Sequence, residues 1–368
     1  MDPSGIFFTS YAGDRSLVRT RAQAITLLLF LLALWSLPLW GSDRMVSMGY
    51  AMFITAIAVV GLQLCTGYAG QINLGQSAFM GVGAYGAALI LHRTTVDVSV
   101  AILVAGVSAA LFGVMFGLTA ARIKGFYLAL TTIAAQAIFH FLVLNLPGSW
   151  LGGAGGIHVE SATFFGVALN NDRAIYLFSL GMLTLMVAGA FGIVRSRHGR
   201  AFEAVRDDDV AAGMMGIPVV ATKARAFLVS SFYAGVAGAL WAVALRHVSV
   251  EQFTLFNAIW MIAMLIVGGL GSIVGALIGT ALIQLAREGV TTLGPSLIER
   301  FPAIGQDFLF ASMNVLLGAI IVFFLLFESL CRTSFTAIGL VGTIDILAPG
   351  SAFEAEHHMA SRSFTPLA

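Results

Sequence analysis

Long apolar runs recur along this chain, and they constrain its fold more than any other feature of the sequence. A helix that crosses a bilayer needs about 20 mostly apolar residues, and most of these runs approach that length. Hydrophobic residues make up 59% of the 368 residues and charged residues only 10%, whereas soluble domains have about 45–50% and about 25%. The sequence therefore predicts an all-α polytopic membrane protein with about ten transmembrane helices. The predicted spans are 22–40, 46–65, 77–91, 98–121, 126–146, 174–194, 224–246, 257–269, 272–286 and 308–328.

The positively charged residues predict how these spans are oriented. Lys and Arg concentrate near helix ends on the cytoplasmic side of a membrane. With a cytoplasmic N-terminus, the arginines before the first span lie on the same side as Arg122, Lys124 and the six positive residues of 195–225. We therefore predict that the N- and C-termini are both cytoplasmic. The first apolar run is interpreted as an uncleaved helix rather than a signal sequence.

The predicted spans divide the chain into three parts. Residues 1–21 form a cytoplasmic N-terminal segment, and residues 22–328 form the transmembrane domain. That domain contains a cytoplasmic loop at 195–225 and its longest outer loop at 147–173. Residues 329–368 form a cytoplasmic tail with little helical periodicity, which we expect to be partly disordered.

Several kinds of chemistry lack their residues in this sequence. The phosphate-binding loop G-x-x-x-x-G-K-[ST] is missing, because neither of the two lysines, Lys124 and Lys223, lies in such a context. The predicted spans also lack the clustered acidic residues that a proton-coupled pump carries. Cys65 and Cys331 make no disulfide framework. The sequence has no metal-ligand spacing and no motif of a catalytic nucleophile. Its net charge of +1 indicates no nucleic-acid partner. His140 is a candidate contact for a substrate or a proton, but a hydrogen bond between helices is the favoured interpretation.

A glycine-rich segment, "GYAGQINLGQSAFMGVGAYG" at 67–86, has two interpretations. Irregular backbone at membrane depth is tolerated only where it is buried in protein or lines a wet cavity. The segment is then a broken helix beside a translocation pathway, with backbone amides and Gln and Asn side chains available to a zwitterionic solute. The alternative is a tight cytoplasmic turn between two spans, followed by close helix packing. The residues alone favour neither.

A second glycine-rich segment, "GGLGSIVGALIGTAL", begins at Gly268. Gly271, Gly275 and Gly279 have a four-residue spacing, which predicts that they share one helix face. Small residues at this spacing usually let two helices approach closely. Gly268 and Gly269 just before them predict a sharp turn.

The third feature is the charged loop "RSRHGRAFEAVRDDDVAAGMMGIPVVATKAR" at 195–225. Residues 200–215 are compatible with a helix that ends at Gly216, since Pro218 follows it. The uncharged face of this helix is made of small apolar residues. It could lie in the lipid headgroups or dock in a groove of a soluble partner. The three acidic residues at 207–209 favour docking, because helices on membrane surfaces are usually rich in Lys and Arg.

These three segments together resemble one family. "GYAGQINLGQSAFMGVGAYGAAL", "GRAFEAVRDDDVAAGMMGI" and "MLIVGGLGSIVGALIG" are similar in sequence and order to the permeases of branched-chain amino acid ABC importers, specifically the M-type (LivM-like) subunit. "GFYLALTTIA" at 125–134 and "GGAGGI" at 152–157 support the resemblance, which covers about residues 45–327. It implies a type II ABC importer-like permease, a multi-pass protein of the bacterial inner membrane. The sequence "LFESLCRTSF" and the tail after it depart from the family pattern.

The resemblance also implies partners. These are an H-type permease subunit as heterodimer partner, two cytoplasmic ATPase subunits and a periplasmic substrate-binding protein. ATP and Mg²⁺ would be bound by the ATPase subunits, so no cofactor is expected in this chain.

The resemblance assigns candidate site residues, none of them catalytic or metal-binding. The ATPase-coupling residues are Gly199, Arg200, Ala201, Glu203, Ala204, Arg206, Asp207, Asp208 and Gly216. The candidate residues of the substrate pathway are Gly67, Tyr68, Gly70, Gln71, Asn73, Gly75 and Gln76. The helix-packing residues are Gly268, Gly269, Gly271, Gly275 and Gly279.

For the substrate, the resemblance implies leucine, isoleucine and valine. Closely similar permeases carry urea, short amides or relatives of aromatic acids, and this sequence has no deeply placed charge that selects among them. A sodium-coupled secondary carrier is a weaker alternative, and it would need no ATPase. An integral-membrane enzyme is weaker still, because it would need clustered reactive side chains near one membrane face.

Overall fold

A computed structural model describes residues 32–300, except for Thr95 and residues 121–122, 124, 148–151, 160–161, 165–166 and 170, and it describes Gly318 as a single helical residue. The segment 1–21, the tail 329–368 and, apart from Gly318, the predicted span 308–328 lie outside the described residues. Of the first predicted span, the described residues 32–40 are helical.

Ten helices, two 3₁₀ turns, one π-helical turn and four short strands follow residues 32–40 in the described chain. The helices are α1 (Asp43–Leu62), α2 (Gln76–Arg93), α3 (Val98–Ala120), α4 (Phe126–Asn145), α5 (Asp172–Arg195), α6 (Arg197–Asp207), α7 (Asp209–Met214), α8 (Val219–Leu245), α9 (Leu255–Gly268) and α10 (Ile273–Arg300). The π-helical turn is Gln63–Tyr68, and the 3₁₀ turns are Gly153–Gly155 and Val250–Gln252. The strands are β1 (Ile157–His158), β2 (Thr163–Phe164), β3 (Val167–Ala168) and β4 (His247–Val248).

Helix α8 forms the centre of the bundle and packs against α1, α2 and α3. Its contact with α2 is unusually close, because Gly235 of α8 faces Gly83 of α2. A Cβ atom at Gly83 would overlap the backbone of Gly235, so the two helices touch through main-chain atoms. Phe227 and Leu240 of α8 are fully buried in the same core. Such small-residue contacts are typical of helix packing in membranes.

Two antiparallel strand pairs lie in the connections between helices. Strand β1 pairs with β4, with Ile157 opposite Val248 and His158 opposite His247. Strand β2 pairs with β3, with Thr163 opposite Ala168. The first pair joins the loop after α4 to the connection between α8 and α9.

Six helical segments among the described residues are long and apolar enough to cross a membrane. They are Asp43–Tyr68, Val98–Thr119, Tyr127–Asn145, Asp172–Arg195, Val219–Leu245 and Val250–Gly268. The chain is therefore a polytopic helical membrane protein. The spans predicted at 77–91 and 272–286 are present as α2 and α10 but are not among the six.

Two helix ends differ most from the prediction. Helix α8 begins at Val219 rather than at 224, so Lys223 lies on the helix and not in the loop before it. Its ammonium group is neutralised by Asp209, at 3.1 Å. Helix α10 continues past 286 to Arg300, and Glu288 on its extension accepts a 2.7 Å ion pair from Arg44 of α1. By sequence alone, the charges of Lys223 and Glu288 suggest a loop. In the structure each is part of a helix, because a residue elsewhere in the chain pairs with its charge.

Candidate functional site

The charged loop folds into two helices rather than the single predicted helix at 200–215. Helix α6 ends at Asp207 and α7 starts at Asp209, because Asp208 has an extended backbone (φ −154°, ψ 110°). Its carboxylate accepts hydrogen bonds from the backbone N–H groups of Val210 (2.8 Å) and Ala211 (3.1 Å). Asp208 is thus the N-cap of α7, which explains why the helix restarts within the row of three acidic residues.

Helix α6 is fixed to the membrane domain by its apolar face. Phe202 is 1% exposed and Val205 is 4% exposed. Gly199 is buried so closely against the end of α5 that a Cβ there would overlap the carbonyl of Val194. Ser196 caps the helix by accepting a 3.1 Å hydrogen bond from the N–H of His198. On the other face Arg200 is exposed, and Ala201 and Ala204 are partly buried.

Arg206 connects α6 to both glycine-rich segments. Its Nη1 donates a 3.1 Å hydrogen bond to the carbonyl oxygen of Gly67 in the π-helical turn. Gly70 (φ +65°) faces the same side chain, and a Cβ at Gly70 would lie 2.8 Å from Cγ of Arg206. A Cβ at Gly271, in the turn between α9 and α10, would lie 3.4 Å from Nη1. Asp207 completes the contact by accepting a 3.2 Å ion pair from Nε. Three motifs that are far apart in sequence therefore meet at one guanidinium group.

Glu203 lies one turn before Arg206 and is half-buried. Burial raises the pKa of this carboxyl above its ordinary value, and the charge of Asp207 raises it further, while Arg206 lowers it. The net direction is upward. The side chain thus holds a proton more readily than a surface glutamate does.

Helix α7 has one tethered end and one exposed end. Asp209 accepts a 3.1 Å ion pair from Lys223 of α8, and the two side chains are only 17% and 5% exposed. Toward the other end, Met214 is 82% exposed and Met215 is 85% exposed. Gly216 (φ +84°) ends the segment in a left-handed conformation that glycine adopts without strain.

The first glycine-rich segment is irregular and buried. Helix α1 passes into the π-helical turn Gln63–Tyr68, and residues 69–75 form no helix before α2 begins. Asn73 and Gln76 are fully buried and joined by a 2.9 Å hydrogen bond from Nδ2 of Asn73 to Oε1 of Gln76. Nε2 of Gln76 donates to the carbonyl of Ala58 at 2.8 Å. In this conformation both side chains bond to protein groups.

Two residues that sequence reasoning missed hold this segment in place. Thr132 of α4 accepts a 3.1 Å hydrogen bond from the N–H of Leu74. Ser230 of α8 donates a 3.0 Å hydrogen bond to Oε1 of Gln76. Gly75 packs so that a Cβ would lie 2.9 Å from the carbonyl of Thr132. The only signal for these two residues in the sequence is a hydroxyl side chain within an apolar helix, and such residues are common.

The second glycine-rich segment forms the contact between α9 and α10. A Cβ at Gly268 would overlap the carbonyl of Gly275, and a Cβ at Gly275 would overlap that of Gly268. A Cβ at Gly279 would likewise overlap the carbonyl of Met264. Because α10 begins at Ile273, Gly271 (φ +86°) is part of the turn and does not share the helix face that its spacing predicts.

Gln63 of the π-helical turn braces this second segment. Its Nε2 donates to the carbonyl oxygens of Gly269 (3.2 Å) and Ser272 (3.1 Å) in the turn between α9 and α10. Gly269 has a φ of +93°, as the turn requires. Tyr68, at the end of the same π-helical turn, is buried. The π-helical turn that leads into the first glycine-rich segment therefore contacts the second segment directly.

A cavity of about 290 Å³ lies between the charged loop and the first glycine-rich segment. Its polar lining includes Gln71, Arg206 and Lys223, together with the three acidic residues 207–209. Oε1 of the buried Gln71 has no hydrogen-bond partner. Movement of α6 or α7 would therefore change a space that reaches the glycine-rich backbone.

His140 and Gln136 of α4 both bind one backbone carbonyl. Nε2 of His140 lies 2.8 Å from the carbonyl oxygen of Phe253, and Nε2 of Gln136 donates to the same atom. Phe253 lies in the connection before α9. His140 therefore contacts the backbone of that connection. Within the described part of the chain, no group of three or more His, Cys, Asp or Glu residues is arranged to hold a metal ion.

Residues 45–326 match a protein family described as branched-chain amino acid transport system / permease component. The high-affinity branched-chain amino acid transport system permease protein LivM of Escherichia coli (strain K12) is 30% identical over 310 residues, which cover 77% of this chain and 72% of that protein. LivM of Salmonella typhimurium is similar to the same extent. The autoinducer 2 import system permease protein LsrC of Enterobacter sp. (strain 638) is 27% identical over 262 residues, or 65% of this chain and 74% of that protein. No solved structure matches this chain.

Proposed function

This chain belongs to the family of branched-chain amino acid transport permease components, and we propose that it lines the pathway by which leucine, isoleucine and valine cross the membrane. It is a permease subunit of an ABC importer and not an enzyme. The proposal on substrate rests on LivM, which is named for branched-chain amino acids. The chain would be a multi-pass protein of the bacterial inner membrane, with ten spans and cytoplasmic termini.

The proposed complex contains an H-type permease subunit, two cytoplasmic ATPases and a periplasmic binding protein. ATP and Mg²⁺ would be bound by the ATPases. In this scheme α6 and α7 dock on an ATPase and transmit its closure to the membrane domain.

The contacts of Arg206 are the observation that carries this mechanism. The exposed side of α7 and the residue after it offer Val210, Met214 and Met215 to a partner. Arg206 at the end of α6 bonds directly to the carbonyl of Gly67. A displacement of the docked helices therefore acts on irregular backbone, which changes conformation more easily than the interior of a helix. Residues 67–76 would then move between states that open to opposite sides.

Co-purification tests the assembly. A tagged chain extracted in mild detergent should bring a second permease and two ATPase chains, identified by mass spectrometry. The variants Glu203→Arg and Asp207→Arg should no longer co-purify with the ATPases, because each reverses a negative charge of the proposed docking helix. Glu251→Arg, an exposed reversal in the α8–α9 connection, is the matched control and should keep them. A stable chain that emerges alone would favour an ion-coupled carrier.

Uptake into proteoliposomes tests the substrate. With the complex and its binding protein, leucine uptake should follow ATP and not an ion gradient. Urea and short amides are the competing substrates. LsrC, named for import of autoinducer 2, shows that similar permeases are named for other cargo. Uptake of urea without leucine would replace the proposed substrate but leave the permease assignment unchanged.

A further inference from the structure

Two histidines face each other across the β1–β4 strand pair. His158 of β1 is the register partner of His247 of β4. Both side chains are exposed, whereas the neighbouring partners Ile157 and Val248 are buried. The two imidazole groups therefore lie on the outward face of a short ribbon that is anchored in the core on its other face.

The hydrogen bonds of the ribbon determine how close these side chains are. The N–H of Val159 donates to the carbonyl of Arg246 at 2.9 Å, so the residues next to the histidines form the hydrogen-bonded pair. His158 and His247 therefore occupy a non-hydrogen-bonded position, where opposite side chains approach most closely. The Cβ atoms of such a pair are about 4.5–5.5 Å apart. One ion that binds imidazole nitrogen at about 2.0–2.1 Å can be reached from both rings.

The surroundings hold the pair in position. Val248 is fully buried, and Gln252 donates a 3.2 Å hydrogen bond to the carbonyl of His247. Gly156 leaves room for the ring, because a Cβ there would lie 3.1 Å from Cε1 of His247. The backbone under the two histidines is thus fixed from both sides. A ligand that joins them needs only rotation of the two side chains on this fixed backbone.

We propose that His158 and His247 together bind one divalent transition-metal ion of the class that prefers imidazole, such as Zn²⁺ or Cu²⁺. Water would complete the coordination, so the ion would be exchangeable. The site is separate from the coupling helices, because α8, with 27 residues, spans about 40 Å between them and β4. A bound ion would pin the loop after α4 to the connection between α8 and α9.

Metal titration of the full-length chain in detergent tests the proposal. The protein carries no polyhistidine tag, and His357 and His358 are replaced by Ala, since adjacent histidines bind metal on their own. Calorimetry with Zn²⁺ should show one ion per chain. His158→Ala and His247→Ala should each weaken that binding about tenfold or more. His198→Ala, in α6, is the matched control and should bind as the parent does.

A second measurement identifies the metal ligands directly. The electron paramagnetic resonance spectrum of the parent with one equivalent of Cu²⁺ should show coupling to two imidazole nitrogens, and to one in either variant. No Zn²⁺ binding by the parent, unchanged binding in both variants, or one nitrogen in the parent spectrum would overturn the proposal.

Discussion

At the scale of single residues, Arg206 makes several distinct contacts. It bonds to the carbonyl of Gly67, pairs with Asp207 and packs against Gly70. Its charge also acts on Glu203, one turn earlier in α6. The sequence could not show that Gly67, which accepts this hydrogen bond, lies 139 residues away in the chain. Long-range contacts of this kind depend on how helices pack and not on local spacing.

The raised pKa of Glu203 predicts that the stability of helix α6 depends on pH. A carboxyl whose folded pKa is raised stabilises the fold most when it is protonated, so its contribution is lost as pH rises through the folded pKa. Segment 197–207 should therefore exchange amide hydrogens more slowly at pH 5 than at pH 8, after correction for intrinsic rates. Glu203→Gln should remove most of this difference and protect the segment at pH 8. Asp207→Asn, at an exposed position, is the control that should keep it, and a pH effect that survives Glu203→Gln would contradict the assignment.

At the scale of helices, the sequence predicted which helices exist better than it predicted where they begin and end. Apolar periodicity found α2 to α5 within about two residues, because each is bounded by polar or glycine-containing turns. It did not find the break at Asp208 or the early start of α8 at Val219. Both depend on side chains that bond elsewhere, Asp208 to the N–H groups of α7 and Lys223 to Asp209. A helical pattern in the sequence does not show which acidic residue will cap a helix and which will form an ion pair.

The contact between α9 and α10 predicts a large effect of one substitution. Gly275→Leu should separate the two helices, because even a Cβ would overlap the backbone of Gly268. Ordinary overpacking of a core costs about 1–3 kcal/mol of folding free energy. The cost here should be larger, since a backbone atom cannot rotate away from the overlap as a side chain can. Size-exclusion chromatography in detergent and a thermal unfolding curve would show the loss of folded protein.

Gly192→Leu is the matched control for that substitution. Gly192 lies within α5, and a Cβ there meets nothing within 4 Å. The variant should elute and unfold as the parent does. Equal behaviour of the two variants would mean that α9 and α10 do not pack through Gly275.

At the scale of the whole molecule, an exposed residue lies beyond each end of the long helix α8. Met215, just before α8, is exposed at the charged loop, and Glu251 is exposed beyond its other end. The predicted orientation places these positions on opposite sides of the membrane. It rests on the positive residues near the predicted helix ends.

Thiol labelling would test that orientation. In a Cys331→Ser background the remaining Cys65 is buried. Glu251→Cys should react with a membrane-impermeant maleimide in right-side-out vesicles, whereas Met215→Cys should react only after permeabilisation. The chain is expressed without its proposed partners, so that docking does not shield Met215. The reverse pattern would invert the topology.

The break at Asp208 has a consequence for how such a protein can change over evolutionary time. Phe202 and Val205, which pack on the membrane domain, belong to α6, whereas the exposed Met214 is the last residue of the six-residue α7 and the exposed Met215 is its C-cap. Surface substitutions in α7 can accumulate without disturbing the core, provided that Asp209 keeps its pair with Lys223. If α7 docks on an ATPase as proposed, substitutions confined to this short helix could match one permeation core to different ATPases.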